Sequence, residues 1–133
     1  MNMRMQVCVD CAEPLRLAAF WAAVLGDAEV RGSGRHYCDL VYDAPRPGLP
    51  VLTFQRVPEA KAGKNRLHLD LYVEDPPAEV ARIEALGGTR LGERVEGGAG
   101  CEWWQVMTDP EGNEFCICAG PAAGGSCIPS TSG

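Results

Sequence analysis

The sequence predicts an α+β fold of two paired βαβββ modules, with curved mixed sheets, helices outside and a ligand cleft inside. Three observations predict it. A strand–breaker–helix unit is written twice, with Pro14 and Pro76 at equivalent places 62 residues apart. Each copy then runs through Gly-containing turns into further strand-like segments. Within the strands apolar and polar residues alternate, so one face suits a core and the other is polar.

The first module is expected over residues 5–57. It opens with the strand "MQVCVDC" and the breaker "AEP". The helix "LRLAAFWAAVLG" follows, with Leu17, Phe20, Trp21, Val24 and Leu25 at helical spacing on one apolar face. Pro14 suits a first helical turn and Gly26 a C-terminal stop. A short strand over 28–31 and the runs "HYCDLVYD" and "PVLTFQRV" complete the module.

The second module, residues 65–118, repeats the order. The strand "LHLDLYV" is broken by "EDPP" and followed by the helix "AEVARIEALGG", whose Val80, Ile83 and Leu86 form the apolar stripe. The runs "TRLGERV", "CEWWQVMT" and "EFCICA" are its remaining strands. "RVPEAKAGKNR" reads as an exposed linker between the modules. The Gly/Ala/Ser/Pro-rich tail over 119–133 is expected to be flexible.

Pleating divides the side chains. Val7, Val9, Leu67, Leu69, Leu71, Phe115 and Ile117 share the parity expected to face the helices. Gln6, Cys8 and Asp10, then His68, Asp70 and Tyr72, then Glu114, Cys116 and Cys118 take the other. In "CEWWQVMT" the two tryptophans must point opposite ways. Trp104 with Val106 is expected in the core, and Trp103 with Met107 on the cleft wall. A Trp, a Met and Tyr72 together suit a planar apolar ligand.

Composition narrows the function. The net charge is −6 and no Lys/Arg run exists, so neither nucleic acid nor an anionic membrane is an expected partner. No apolar run approaches the length of about 20 residues that spans a bilayer. The seven cysteines are odd in number and follow no secretion signal, which points to a reducing cytoplasmic setting. Cys8-x-x-Cys11 and Cys116-x-Cys118 resemble zinc motifs, yet three of these residues fall inside strand-like runs. They read as buried thiols. "GSGRHYCDL" is a turn feeding a strand, because no helix follows Gly34 to offer its N-terminus to a phosphate. Tyr37 lies at the expected rim of the cleft, beside Arg35 and His36.

The segments "DCAEPLRLAAFWAAVLG", "LTFQRVPEAKAGKNRLHLDLYVEDPPAEVARIEALGGTR" and "TDPEGNEFCIC" resemble the vicinal oxygen chelate superfamily. That superfamily includes glyoxalase I, bleomycin resistance proteins and extradiol dioxygenases. The likeness is nearest to its glyoxalase-like subgroup. It implies paired modules, often in a homodimer, with a small-molecule cavity. It also implies four metal-ligand positions, typically His or Glu, one on each of four strands. Here those positions hold Gln6, Thr53 (or Gln55 in a shifted register), His68 and Cys116. His68 alone keeps a family ligand type. A catalytic zinc takes three protein ligands and a water, and harder cations want carboxylates.

The expectation is therefore a metal-free protein that binds a bulky, partly aromatic, antibiotic-like small molecule and sequesters it, as in the bleomycin-resistance branch. The ligand wall is expected from Gln6, Cys8, Asp10, Tyr37, Thr53, Gln55, His68, Asp70, Tyr72, Trp103, Met107 and Cys116. No catalytic residue is assigned and no cofactor is expected. The alternative is a lyase, isomerase or dioxygenase using one divalent metal on His68, Cys116 and Glu114, with Gln6 a further donor. His68 and Asp70 are expected to pair poorly, since alternate strand residues lie about 6.5 Å apart.

Overall fold

The computed structural model describes residues 2–96 and 103–119. They form two compact units, divided between Ala62 and Gly63. The first is a four-stranded mixed sheet with one helix: β1 (Gln6–Cys11), α1 (Pro14–Leu25), β2 (Ala28–Arg31), β3 (Tyr37–Tyr42) and β4 (Val51–Arg56). The sheet order is β1-β4-β3-β2, with β1 and β4 parallel and the other pairs antiparallel. The second unit holds β5 (Leu69–Tyr72), α2 (Pro76–Leu86), β6 (Thr89–Arg90), β7 (Val95–Glu96), β8 (Trp103–Thr108) and β9 (Glu114–Ala119). Its order is β5-β9-β8-β6, with β7 also on β8 and with β5 parallel to β9. The two units thus repeat one topology. Among the described residues no helix is long and apolar enough to cross a membrane.

The helices begin and end where the sequence places them. Each has Pro in its first turn and Gly just past its end. Asp75 caps α2 by accepting from the Ala78 amide at 3.2 Å. α1 buries Leu17, Ala18, Phe20, Trp21 and Val24, and packs on β2, β3 and β4. Beneath it lie Cys38, Leu40, Leu52 and Phe54, all fully buried. Each of these Leu and Phe side chains contributes about 1.5–3 kcal/mol through removal from water. α2 buries Val80 and Ile83 among the second unit's strands, where Phe115, Ile117 and Met107 are also buried.

Five local expectations change. Leu67 is 90% exposed and lies outside the sheet. The parallel register pairs Leu69 with Phe115, so continuing it two residues back would set Leu67 against Asn113. Asn113 is already committed: its carbonyl accepts from the Asp109 amide and its own amide donates to the Asp109 carboxylate. Leu86 is exposed in the last turn of α2, off the Val80–Ile83 stripe. The run "TRLGERV" is two short strands, interrupted near Gly92, whose φ of +73° is incompatible with strand geometry. Ala119 belongs to β9, while the rest of the expected tail lies outside the described residues, as do Cys101 and Cys127.

The fifth change concerns β8. Its antiparallel register on β9 sets Met107 against Phe115 and Gln105 against Ile117, which puts Met107 on the helix side, 0% exposed. Trp104 faces Cys118 and Val106 faces Cys116. Trp104 and Val106 pack on the Cys116–Cys118 pair, so Trp103 and Met107 are not the wall of that face. Gln105 misleads at the sequence level because it is polar yet buried. Its amide donates to the carbonyls of Gly92 (3.1 Å) and Val106 (2.9 Å), so it enters the core side at little cost.

Candidate functional site

Each unit presents one polar sheet face opposite its helix. In the first, register aligns Cys8 with Thr53, Asp10 and Tyr37 with Gln55, and Asp39 with Thr53, so these side chains share a face with Gln6. Gln6 Nε2 donates to Thr53 Oγ1 at 3.1 Å, and Thr53 Oγ1 donates to Asp39 Oδ1 at 2.8 Å. The Cys8 thiol points at Gln55 Oε1, 3.7 Å away. Thr53 is buried, whereas Gln6, Cys8, Asp10, Tyr37 and Gln55 are exposed. Burial, then the charges of Asp10 and Asp39, hold the Cys8 thiol above its ordinary pKa, so it stays protonated near neutral pH. Asp39 is absent from the expected wall, although its parity with Tyr37 in "HYCDLVY" places it there.

In the second unit the face runs from His68 through Asp70 and Tyr72 on β5 to Glu114, Cys116 and Cys118 on β9, then to Val106 and Trp104 on β8. The parallel register puts Asp70 beside Cys116. His68 Nδ1 lies 3.1 Å from Asp70 Oδ1, contrary to the poor pairing expected for alternate residues. The reason is that His68 sits one residue before β5 begins, where the pleat does not hold it apart from Asp70. His68, Asp70 and Cys116 bring their nitrogen, oxygen and sulfur ligand atoms all within 4.8 Å of one another. Glu114 instead accepts from the Asn65 amide at 3.0 Å, and Asn65 Nδ2 donates to the Glu114 carbonyl. Its carboxylate is turned to the linker, so Asp70 takes the place expected for Glu114.

Two thiols of this face are unusually weak acids. Burial, the charge of Asp70 and a hydrogen bond to Asp70 push Cys116 up to about 12, with Lys64 opposing. Burial and then Asp70 and Cys116 push Cys118 up to about 12. Tyr72 is raised by burial, then by Cys118, Asp70 and Cys116. Neutral thiols are poor nucleophiles, so neither cysteine is an activated group in the free protein.

An open groove of about 490 Å³ lies elsewhere, lined by Arg90, Gly92, Glu93, Arg94, Glu96 and Gln105. It collects none of the residues expected at the site. Both of its arginines are already paired, Arg90 with Glu84 and Arg94 with Glu96. The polar sheet faces remain the candidate site.

Comparison with known proteins agrees with this architecture. The family model of the glyoxalase-like domain matches residues 6–118. No curated protein matches the chain. Among solved structures, a glyoxalase/bleomycin resistance protein/dioxygenase family enzyme from Burkholderia phytofirmans PsJN is 19% identical, with a TM-score of 0.69 over 87% of this chain and 97% of its own. The fosfomycin resistance protein FosX from Listeria monocytogenes is 17% identical, with a TM-score of 0.67 over 92% and 96%. TioX from Micromonospora sp. ML1 is 15% identical, with a TM-score of 0.60 over 90% and 100%. At such identities the structures show a shared fold. With both units built to one βαβββ plan and the family match spanning both, the chain belongs to the glyoxalase-like domain family of the vicinal oxygen chelate superfamily.

Proposed function

We propose that this chain binds a bulky, partly aromatic small molecule and acts by sequestration, in the manner of the bleomycin-resistance branch, its ligand held directly by side chains. The observation that carries this reading is the Gln6–Thr53–Asp39 hydrogen-bonded chain. Gln6 and Thr53 stand at two positions where the resemblance implies metal ligands. Both are neutral, and Thr53 Oγ1 is engaged twice, accepting from Gln6 and donating to Asp39. With one imidazole and one thiol at the remaining positions, the residues present do not fit the His/Glu set that the resemblance implies. Ligand binding is therefore expected to need no metal.

Aromatic and polar groups are available for direct contact. Tyr37 and Tyr72 are exposed, and half-buried Trp104 flanks Cys118. Flat rings of this kind contribute large contact area at small entropic cost, and each face has its own polar groups to orient a ligand by hydrogen bonds, Asp10 and Gln55 on the first unit's and Asp70 on the second's. The carboxylates favour a ligand with cationic groups. The reading includes a homodimer working in the cytoplasm.

A second reading, a divalent-metal-dependent lyase, isomerase or dioxygenase, is favoured by the proximity of His68, Asp70 and Cys116. Those three residues would hold the ion, which would supply Lewis-acid chemistry.

The deciding experiment uses untagged protein kept in EDTA and titrated with bleomycin and with an anthracycline, read by tryptophan fluorescence. Saturable quenching that weakens in Trp104→Phe supports sequestration. Absence of binding in EDTA, together with binding that appears only on adding a divalent ion, overturns it.

A further inference from the structure

We infer that Asp39 selects the ligand by charge: it anchors a cation that carries N–H groups, an ammonium or amidinium, while Gln6 and Thr53 position its carboxylate. This rests on the sequestration reading and deepens it, by naming the ligand class and the residue that recognises it. Asp39 stands at none of the positions where the resemblance implies a metal ligand. Two of those positions serve here as supports for a carboxylate beside them.

The direction of the hydrogen bonds carries the argument. A threonine hydroxyl has one hydrogen to give. Gln6 Nε2 donates to Thr53 Oγ1 at 3.1 Å, so the hydroxyl accepts on that side. Its single hydrogen goes to Asp39 Oδ1 at 2.8 Å. Thr53 is buried, which shields this bond from water. One carboxylate oxygen is thus held in place, and a carboxylate offers about four lone-pair sites in all. Among the described residues the Asp39 carboxylate has no other hydrogen-bond or ion-pair partner.

The cation that could neutralise Asp39 is diverted. The β2–β3 register sets Arg31 opposite Asp39. Yet Arg31 closes on Glu29, with Nε and Nη2 each 2.7 Å from Glu29 Oε1. Asp39 therefore keeps its negative charge while half-buried. A partly desolvated charge without a cation costs stability, and a cationic ligand relieves that cost. Asp10, the other carboxylate aligned on this face, is exposed, and among the described residues no hydrogen bond orients it. It strengthens the field but gives it no direction. Tyr37 precedes Asp39 by two residues on the same face of β3, so its ring is offset by about 6.5–7 Å along the strand. The fitting ligand is a planar ring with a cationic N–H group about that far away.

An anthracycline with a free amine and its uncharged N-acetyl form, each titrated in EDTA and read by the drug's own fluorescence, test this. Wild type should bind the amine about tenfold or more tightly than the N-acetyl form. In Asp39→Asn that ratio should fall to near one. Thr53→Val should lower it and Thr53→Ser should restore it, because only the hydroxyl orients Asp39. Asp10→Asn should lower it less than Asp39→Asn does. Glu79→Gln, which removes the same charge from α2, should leave it as it was. Circular dichroism checks each variant, and if Asp39→Asn does not fold the two Thr53 variants decide. Equal binding of both forms by wild type, a ratio retained in folded Asp39→Asn or Thr53→Val, a larger loss in Asp10→Asn, or a loss in Glu79→Gln would each overturn the role of Asp39 and leave sequestration standing. Binding of neither form would overturn both.

Discussion

His68 Nδ1 stands 3.1 Å from Asp70 Oδ1, although the two residues alternate along one segment. The same residue is the register partner of Cys116 across the parallel pair β5–β9, and its charge raises the Cys116 thiol. Asp70 is thus the group on which the second unit's polar face converges.

Removing that charge has a predictable sign. Asp70 raises the pKa of Cys116, Cys118 and Tyr72. In Asp70→Asn all three should fall, though not to their ordinary values, because burial is the larger cause for each. Iodoacetamide labelling at pH 9, followed by peptide mass spectrometry, should show faster modification of Cys116 in Asp70→Asn than in wild type. Equal rates would remove Asp70 from its place at the centre of this face.

The raised thiols also set alkaline stability. Cys116 and Cys118 titrate near 12 in the folded chain and at 9.0 ordinarily. Between those values the folded state holds protons that the unfolded state has released. Stability from these groups is therefore fully present below about pH 9 and is lost as pH rises towards 12. Thermal melts from pH 8 to 11 should show the wild-type Tm falling more steeply than that of the Cys116→Val/Cys118→Val double variant. Parallel curves would contradict the shifts.

The two faces of β8 should separate in mutagenesis. Met107 is fully enclosed beside Phe115, so Met107→Ala should cost about 2–5 kcal/mol in urea unfolding. Trp104 is half-buried on the opposite face, and Trp104→Phe should cost only about 1 kcal/mol while reducing drug-induced quenching. Met107→Ala should leave quenching per folded molecule unchanged. The reverse pattern would restore Met107 to the ligand wall.

Gly34 offers a test of the turn before β3. Its φ is +73°, and a Cβ there would stand 2.2 Å from Leu15 Cγ. Gly34→Ala should destabilise by about 1–3 kcal/mol, combining left-handed strain with the clash. Leu15 is largely exposed and able to yield, so adding Leu15→Ala should recover the steric part and leave the backbone part. A neutral Gly34→Ala would show that the turn relaxes freely.

Much of the architecture is legible in the chain itself. Proline at the first turn and glycine after the last mark both helices, and the one-residue difference between "LRLAAFWAAVLG" and its counterpart appears as helices of 12 and 11 residues. Alternation assigns Val7 and Val9 to one face of β1 and Gln6, Cys8 and Asp10 to the other, and exposure follows that division. These features are local: φ limits, capping and pleat parity act over a few residues, so sequence encodes them directly.

Tertiary structure alone decided the rest, for reasons of pairing. "WWQVM" is apolar on both parities, and only the register with β9 shows that the satisfied amide of Gln105 goes inward with Met107. Leu67 looks like a strand residue until Asn113 proves to be committed to the Asp109 turn. In a linear reading Asp70 pairs poorly with His68 and Glu114 is the carboxylate expected beside it. Asn65 claims Glu114 and the β5–β9 register delivers Asp70. The sequence determined two modules and their polar faces, because that information is periodic and short-range. Which carboxylate meets His68 and Cys116 depended on contacts up to 49 residues apart, such as Asn65 to Glu114, which no local pattern contains.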